Sequence, residues 1–437
     1  MFRATRLPRQ PGISGWAAML PPRQPRPRLE GKATADVVII GAGFAGLAAA
    51  RRITQLDPSA RVMVLEAGIL GEGPAGRNSG FIIDLPHEVS ADSLGSDSTA
   101  HAKADIFKNR SAISLAATMA EEQRWGPEVL SLSGRYSIAR GAAGDHHLAD
   151  YARQLASLSE PHRLLSAAET AALTGTTSFS SALFTPGTAM IQPALFNRLF
   201  ADALPVTLHE RSPVRAFARQ TDWHIKTDHG EVTAARLILA VNGHAQSFGL
   251  LPGKLMHVFT YASLTAPFDP GRLGGARDWA ATPALPMGTT IRRISGPEGD
   301  RVLVRSRYTY NPTITVSDAA LASAGRLHDR KLASRFPTLA GQAMQYRWAG
   351  AMALTWNAVP VVTEPEPGLW LAAGCNGVGA TNATANGIVA AERAMGHLSD
   401  LGRAYAQTPP QRLPPEPFAT IGGKAALKWK EWRAGDE

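Results

Sequence analysis

Gly41, Gly43 and Gly46 stand in the order G-x-G-x-x-G, Ala50 follows four residues on, and Glu66 closes the next apolar run. These residue types at this spacing can hold a dinucleotide. Gly41 permits a tight turn, Gly43 lets the backbone approach a pyrophosphate, and Gly46 with Ala50 lets a helix pack closely on a strand. Phosphate charge then rests on the free amides of a helix N-terminus. Glu66 can accept from both hydroxyls of an adenosine ribose and would repel a 2′-phosphate, which points to FAD or NAD rather than NADP. The chemistry implied is transfer of hydride or electrons. A glycine-rich turn alone is only a loop, but here Val37 to Ile40 and Val62 to Leu65 supply both strands of a βαβ unit between Asp36 and Gly68.

The stretch Gly71 to Glu88, GEGPAGRNSGFIIDLPHE, follows the ribose-binding strand directly. Its small residues suit backbone lying against a flat ligand, with Arg77 and Asn78 offering one cation and one amide to phosphates or ring oxygens. A chain of 437 residues exceeds one ordinary domain, so a nucleotide lobe and a second, substrate lobe are expected. The formal charge of +9 is concentrated at the start: residues 1–34 carry seven basic residues against Glu30, a net of +6, leaving 9 − 6 = +3 for the rest. A nearly balanced body is not the footprint of a nucleic-acid binder. A single cysteine, Cys375, excludes an intramolecular disulfide and a multi-cysteine metal site, and a reducing cytoplasm is the expected home. No metal is expected. No apolar run is long enough for a membrane span. Pro8, Pro11 and the PPRQPRPR run from Pro21 to Arg28 oppose a helix and favour extended chain, so residues 1–11 are expected to be solvated. Trp16 and Met19 point to docking of Gly12 to Leu20.

On GAGFAG, LEAG and GPAGRNSG, the chain resembles the D-amino-acid-oxidase-like FAD oxidoreductases, nearest their γ-glutamylputrescine oxidase and sarcosine oxidase branch. Two later stretches extend the resemblance. Val214 to Gly243 reads as a three-stranded return through the nucleotide lobe, and LWLAAGCNGVGATNATANGIVAAE, Leu369 to Glu392, as a strand, a glycine turn and a helix. The resemblance implies an α/β protein: a Rossmann-like FAD-binding lobe of glutathione-reductase type, with a second α+β lobe carrying a mixed or antiparallel sheet. The implied division is 1–34 tail, 35–100, 190–247 and 346–400 FAD-binding, 101–189 and 248–345 substrate lobe, and 401–437 C-terminal extension. The implied FAD contacts are Gly41, Gly43, Phe44, Ala45, Gly46, Glu66, Ala67, Gly76, Arg77, Asn78, Ser79, Val214, Asn242, Gly243, Gly374, Asn376, Gly377, Val378, Gly379, Ala380 and Thr381. Members that bind flavin covalently use a histidine near Arg77 or a cysteine near Gly350; neither is present, so non-covalent FAD is expected.

The second lobe reads as helices over Asp105 to Trp125 and Leu148 to Leu158, with a helix over Gln192 to Leu204 leading back. Strands are expected at Met256 to Thr265, Thr289 to Ile294 and Arg301 to Tyr310. Alternation on the last puts Leu303, Arg305, Arg307 and Thr309 on one face and Val302, Val304, Ser306, Tyr308 and Tyr310 on the other. In the family one face of such a sheet roofs the flavin, making Arg305 or Arg307 a candidate substrate ligand against the alternative of a solvent-facing strand arginine, and Tyr308 and Tyr310 candidates for either core or site. Arg305 and Tyr308 are the candidate catalytic residues.

The family reaction moves a hydride from carbon to flavin N5, so positioning matters more than a strong base. Neutral amine is needed, and deprotonating a lysine-like amine at neutral pH costs about 4 to 5 kcal/mol. Sarcosine-oxidase-like members carry an arginine where this chain has Asp84 and a lysine where it has Thr381. Asp84 is therefore a candidate for a distal ammonium, as in a diamine derivative, or for a simple turn cap before Pro86. The activity implied is oxidation of an amine or amino acid to an imine, with molecular oxygen as acceptor. The alternatives are a dehydrogenase passing electrons to a carrier and a non-catalytic flavin-bearing protein.

Overall fold

The computed structural model describes residues 1–86, 96–405 and 408–437, with only the backbone for 96–98. His87 and Glu88, at the end of the expected flavin-loop stretch, lie outside the described residues. The apolar run before Gly41 becomes the strand Gly31–Ile40, followed by the helix Phe44–Leu56 and the strand Val62–Leu65. The two strands pair in parallel from Val37↔Val62 to Ile40↔Leu65. Val37 to Ile40 are buried on both faces, as a central parallel strand requires.

On the far side of Gly31–Ile40 runs Gly230–Leu239, also parallel. It ends the antiparallel return Ala216–Arg219, Trp223–Lys226, Gly230–Leu239 expected from the sequence. Its last three residues also pair with Leu369–Ala373, which leads into the helix Gly379–Ala394. That helix packs on Phe44–Leu56 so closely that a Cβ on Gly387 would sit 2.0 Å from the Ala45 carbonyl oxygen. These strands belong to one nine-stranded sheet, the Rossmann-like lobe.

The second lobe is built on an eight-stranded mixed sheet. Met344–Thr355, Leu255–Thr265, Arg301–Tyr310, Thr290–Ile294 and Trp279–Pro283 follow one another antiparallel, and Trp279–Pro283 then pairs in parallel with Arg135–Ala139. The helix Asp318–Arg335 covers one face of this sheet. Buried His328 on that helix meets the Ser263 hydroxyl at 2.7 Å. The other face turns toward the nucleotide lobe, where Trp348 donates to the Arg77 carbonyl at 2.9 Å.

The N-terminal stretch refines an expectation. Residues 1–11 are mostly exposed, as expected, but not loose: Phe2–Arg3 pairs antiparallel with Ala216 and Phe217, Arg9 bridges Thr315, and the Ala349 amide donates to Pro11 O at 3.1 Å. Proline excludes a helix but not an added edge strand, and buried apolar partners supply what the prolines do not. Several of the tail's cations are matched, Arg9 with Asp318, Arg23 with buried Glu210 and Arg26 with Asp202.

Burial holds three histidines neutral: His244 and His257 fall to about 4 and His328 to about 3. The unfolded chain binds protons near 6.5, so stability is full above that pH and is lost as pH falls toward 4. Each contributes up to ~1.4 kcal/mol per pH unit within the window. Melting temperature should therefore decline from pH 6.5 to 4, and less steeply in His328→Gln; an unchanged slope in that variant contradicts the assignment.

Candidate functional site

The expected phosphate site opens where the first strand meets its helix. Gly41 has φ +101°, and an added Cβ would lie 2.8 Å from the Ala240 oxygen. Gly46 touches the turn itself, its would-be Cβ falling 1.8 Å from the Gly41 oxygen. Gly43 differs: its Cβ would meet only the Ala75 methyl, at 3.7 Å. The first helical bond runs from Leu47 N to Gly43 O at 3.0 Å, so the amides of the first turn, Phe44 and Ala45 included, have no helical acceptor. Open space beside Gly43 and unpaired amides are what a pyrophosphate needs.

Glu66 ends its strand beside this turn. Its carboxylate accepts from Ala42 N and Gly68 N, both at 2.9 Å, with Ala67 between. Burial raises its pKa, opposed by those donors. Val214 is buried in the adjoining core with Leu65 and Phe248, while Gly76, Asn78 and Ser79 form the following turn. Asn78 braces that turn, donating to Ala75 O at 2.6 Å and accepting from Gly80 N at 2.7 Å. The Arg77 side chain departs from the sequence reading. Its guanidinium donates to the carbonyls of Glu72, Gly12 and Ala349 at 2.7, 2.9 and 3.1 Å, so it clamps three chain segments instead of reaching into the groove.

The last glycine turn lies across the groove. Gly374 N donates to Asn242 Oδ1 at 3.0 Å, and Asn242 Nδ2 donates to Cys375 Sγ at 3.2 Å, tying this turn to the Asn242–Gly243 corner. Asn376 turns its side chain away, donating to Ala358 O, so it offers backbone alone. Added Cβ atoms on Gly377 and Gly379 meet nothing within 4 Å, and Val378 between them is partly exposed. Ala380 and Thr381 follow in the first turn of Gly379–Ala394. The Thr381 hydroxyl accepts from Ile83 N at 2.9 Å and donates to Ile83 O at 3.2 Å. Where related sequences place a lysine, this chain buckles the helix start to the segment before Asp84.

The sheet face over this groove is not the one strict alternation predicts. Thr260 pairs with Tyr308 but Tyr261 with Ser306, and Arg307, the unpaired residue, has φ +65°. This β-bulge shifts the phase, so Tyr308 joins Arg305 on the inward face. Arg305 donates to Tyr308 Oη at 2.6 Å and lies 4.9 Å from its ring centroid. Arg307 pairs instead with Glu431 at 3.6 Å. Register carries the inward face on from Arg305 to Thr290, and from Arg292 and Ala280 on the neighbouring strands to Thr282 and Ser137.

Asp84 is not a free acid. Its buried carboxylate accepts from Thr188 Oγ1 at 2.9 Å and lies 3.7 Å from Arg110, which also pairs with Glu160. A third cation escaped the sequence reading. Arg135 is 1% exposed, donates to Thr282 Oγ1 at 2.6 Å, and leaves Nε and its other terminal nitrogen without a partner. The available signal was the alternation of RYSIA, which places Arg135, Ser137 and Ala139 on one strand face. Neither Arg135 nor Arg305 forms an ion pair among the described residues.

The sequence model of the family described as "FAD dependent oxidoreductase" matches residues 36–393. The chain is 25% identical over 417 residues to a probable oxidoreductase OrdL of Rhizobium meliloti (strain 1021), covering 90% of this chain and 91% of that protein. It is 23% identical to the gamma-glutamylputrescine oxidoreductase of Escherichia coli (strain K12), over 80% of each. Among solved structures, glycine oxidase from Geobacillus kaustophilus superposes with a TM-score of 0.68 at 18% identity, covering 86% of this chain and all (100%) of that one. At that identity the likeness shows the fold.

Proposed function

The chain belongs to the DAO family of FAD-dependent oxidoreductases, and on that premise we propose that it oxidises the C–N bond of an amino acid to an imine. The observation that carries the substrate reading is the inward sheet face over the flavin groove. Arg305 and Arg135 lie on it, with the hydroxyls of Thr290, Thr282 and Ser137 between them and no acid paired to either cation among the described residues. A buried guanidinium and a partly buried one without counter-ions favour an anionic ligand, and a planar fork suits a carboxylate.

The gamma-glutamylputrescine oxidoreductase name would suggest an amine with a distal charge. Asp84 is poorly placed to read one, because Thr188 and Arg110 already engage it. We assign it to bracing the segment that Thr381 buckles.

Bound FAD supplies the acceptor for the hydride. The protein's part is to hold the α-carbon of a carboxylate-anchored substrate under the sheet. Gly43 and the glycines of the last turn leave the groove open for the cofactor, while Arg305 fixes the carboxylate and Tyr308 fixes Arg305. The substrate loses a hydride from carbon and a proton from nitrogen, and water then hydrolyses the imine.

Arg305→Met should raise the concentration of amino acid needed for half-maximal flavin reduction by roughly 10- to 150-fold, the range for a lost charge-assisted hydrogen bond. Reduction by the corresponding decarboxylated amine should change little. Equal losses for both would overturn the anchor. The acceptor is proposed to be oxygen, with oxygen uptake matching substrate loss; turnover only with an added carrier dye would make the protein a dehydrogenase.

A further inference from the structure

The C-terminal helix Phe418–Ala434 carries Phe418, Ile421, Ala425, Trp429 and Trp432 at i, i+3, i+7, i+11 and i+14, one stripe of an α-helix. The stripe faces outward: Phe418 is 67% exposed, Ile421 62%, Trp429 52% and Trp432 76%. Four large apolar side chains in one exposed row mark a surface meant to be covered.

The helix is not a loose tail. Gly423 lies against Tyr310, where a Cβ would come within 3.2 Å of the ring. Buried Ala434 accepts from Glu437 N at 3.0 Å, and the Glu437 backbone oxygen accepts from Thr289 Oγ1 at 2.8 Å. One face is thus fixed to the substrate lobe, and the apolar stripe is left over.

The charges say what covers it. Lys424, Lys428, Lys430 and Arg433 are all exposed, and Arg433 lies 5.2 Å from the Trp429 ring centroid. The only acid on the helix, Glu431, turns inward to Arg307. Four cations and no outward acid beside two tryptophans match an anionic lipid surface, where indole rings settle at headgroup depth and lysines meet phosphates. No helix among the described residues is long and apolar enough to cross a membrane, so the contact is a surface one.

We propose that this helix docks the protein on an anionic lipid bilayer, seating the substrate lobe against the membrane. The proposal does not depend on the substrate reading above.

The test is co-sedimentation of the full-length, FAD-loaded protein with vesicles of phosphatidylcholine alone and of phosphatidylcholine mixed with phosphatidylglycerol, across a salt series. Binding to the mixed vesicles alone, weakened by salt and accompanied by a blue shift of tryptophan emission, is expected. Lys424→Glu/Lys428→Glu should weaken binding by more than tenfold, since each surface lysine is worth roughly fivefold. Trp429→Ser/Trp432→Ser should lose the residual, salt-resistant part. Lys103→Glu/Lys226→Glu, with the same change in net charge elsewhere, should bind as the wild type does. Flavin content and melting temperature report that each variant is folded. No binding to mixed vesicles, equal binding to both compositions, or loss of binding in the Lys103/Lys226 control overturns the proposal. So does a concentration-dependent dimer that vanishes in the double-tryptophan variant while vesicle binding is absent, because the stripe then belongs to a second copy.

Discussion

Gly43→Val should fold and purify without colour. A Cβ at this position has room, meeting only Ala75 at 3.7 Å, so the nucleotide lobe can form. The room it takes is the space through which a pyrophosphate reaches the amides of Phe44 and Ala45. A branched side chain there blocks the approach without straining the chain. Gly46→Val is the contrast, because a Cβ 1.8 Å from the Gly41 oxygen forces the helix off its strand. Flavin absorbance per protein, read beside far-ultraviolet circular dichroism, separates the cases: Gly43→Val keeps the spectrum of the fold and loses the flavin, while Gly46→Val loses both. Melting temperature should fall modestly in Gly43→Val, since bound ligand no longer stabilises the native state. Full FAD occupancy in folded Gly43→Val would place the phosphates elsewhere.

Trp16→Ala should destabilise the protein by about 3 to 5 kcal/mol, the usual cost of emptying a large buried aromatic site. Trp16 is fully buried (0% exposed) between the lobes. Its indole donates to Asn78 O at 2.7 Å, Gln192 donates to its carbonyl at 2.7 Å, and Arg292 stacks 5.1 Å from its ring centroid. Ser14, two residues earlier, donates to Gly76 O at 2.7 Å. The first twenty residues therefore hold the flavin-loop turn from outside, and Trp16→Ala should also weaken FAD retention. Deleting residues 1–11 removes the Phe2–Arg3 strand and the Phe2–Phe217 stack at 5.0 Å, so a smaller but measurable loss is expected. Denaturant midpoints at fixed slope measure both. A Trp16→Ala protein within ~1 kcal/mol of wild type would show the segment to be an ornament on the body.

The nucleotide lobe was legible in the sequence because its constraints are local. Gly41, Gly43, Gly46 and Glu66 act within one βαβ unit, and close-contact glycines leave no alternative residue. The strands Leu255–Thr265, Thr290–Ile294 and Arg301–Tyr310 were also legible, from their β-branched and aromatic runs. What failed was set by distant partners. The bulge at Arg307 sets residues 303–310 against only 258–264 of the neighbouring strand, and no periodicity on Arg301–Tyr310 announces that. Arg77 read as a cofactor cation because carbonyls of Gly12 and Ala349 are invisible at positions so far along the chain. Asp84 stayed open between an ammonium ligand and a turn cap for the same reason, Thr188 and Arg110 being its partners only in the fold. The tethering of the proline-rich start was not legible because proline reports what the backbone cannot do, not what it pairs with.

The central claim, oxidation of an amino-acid C–N bond at an FAD site, is tested most directly by anaerobic titration of the yellow wild-type protein. The panel should hold α-amino acids, their decarboxylated amines, diamines and α-hydroxy acids, with flavin absorbance and carbonyl product followed together. The account predicts bleaching by at least one amino acid, with one carbonyl product formed per flavin reduced, and markedly weaker reduction by the amine that lacks its carboxylate. Bleaching by a hydroxy acid or a simple diamine in preference to every amino acid, or no bleaching by any member of the panel, would contradict it.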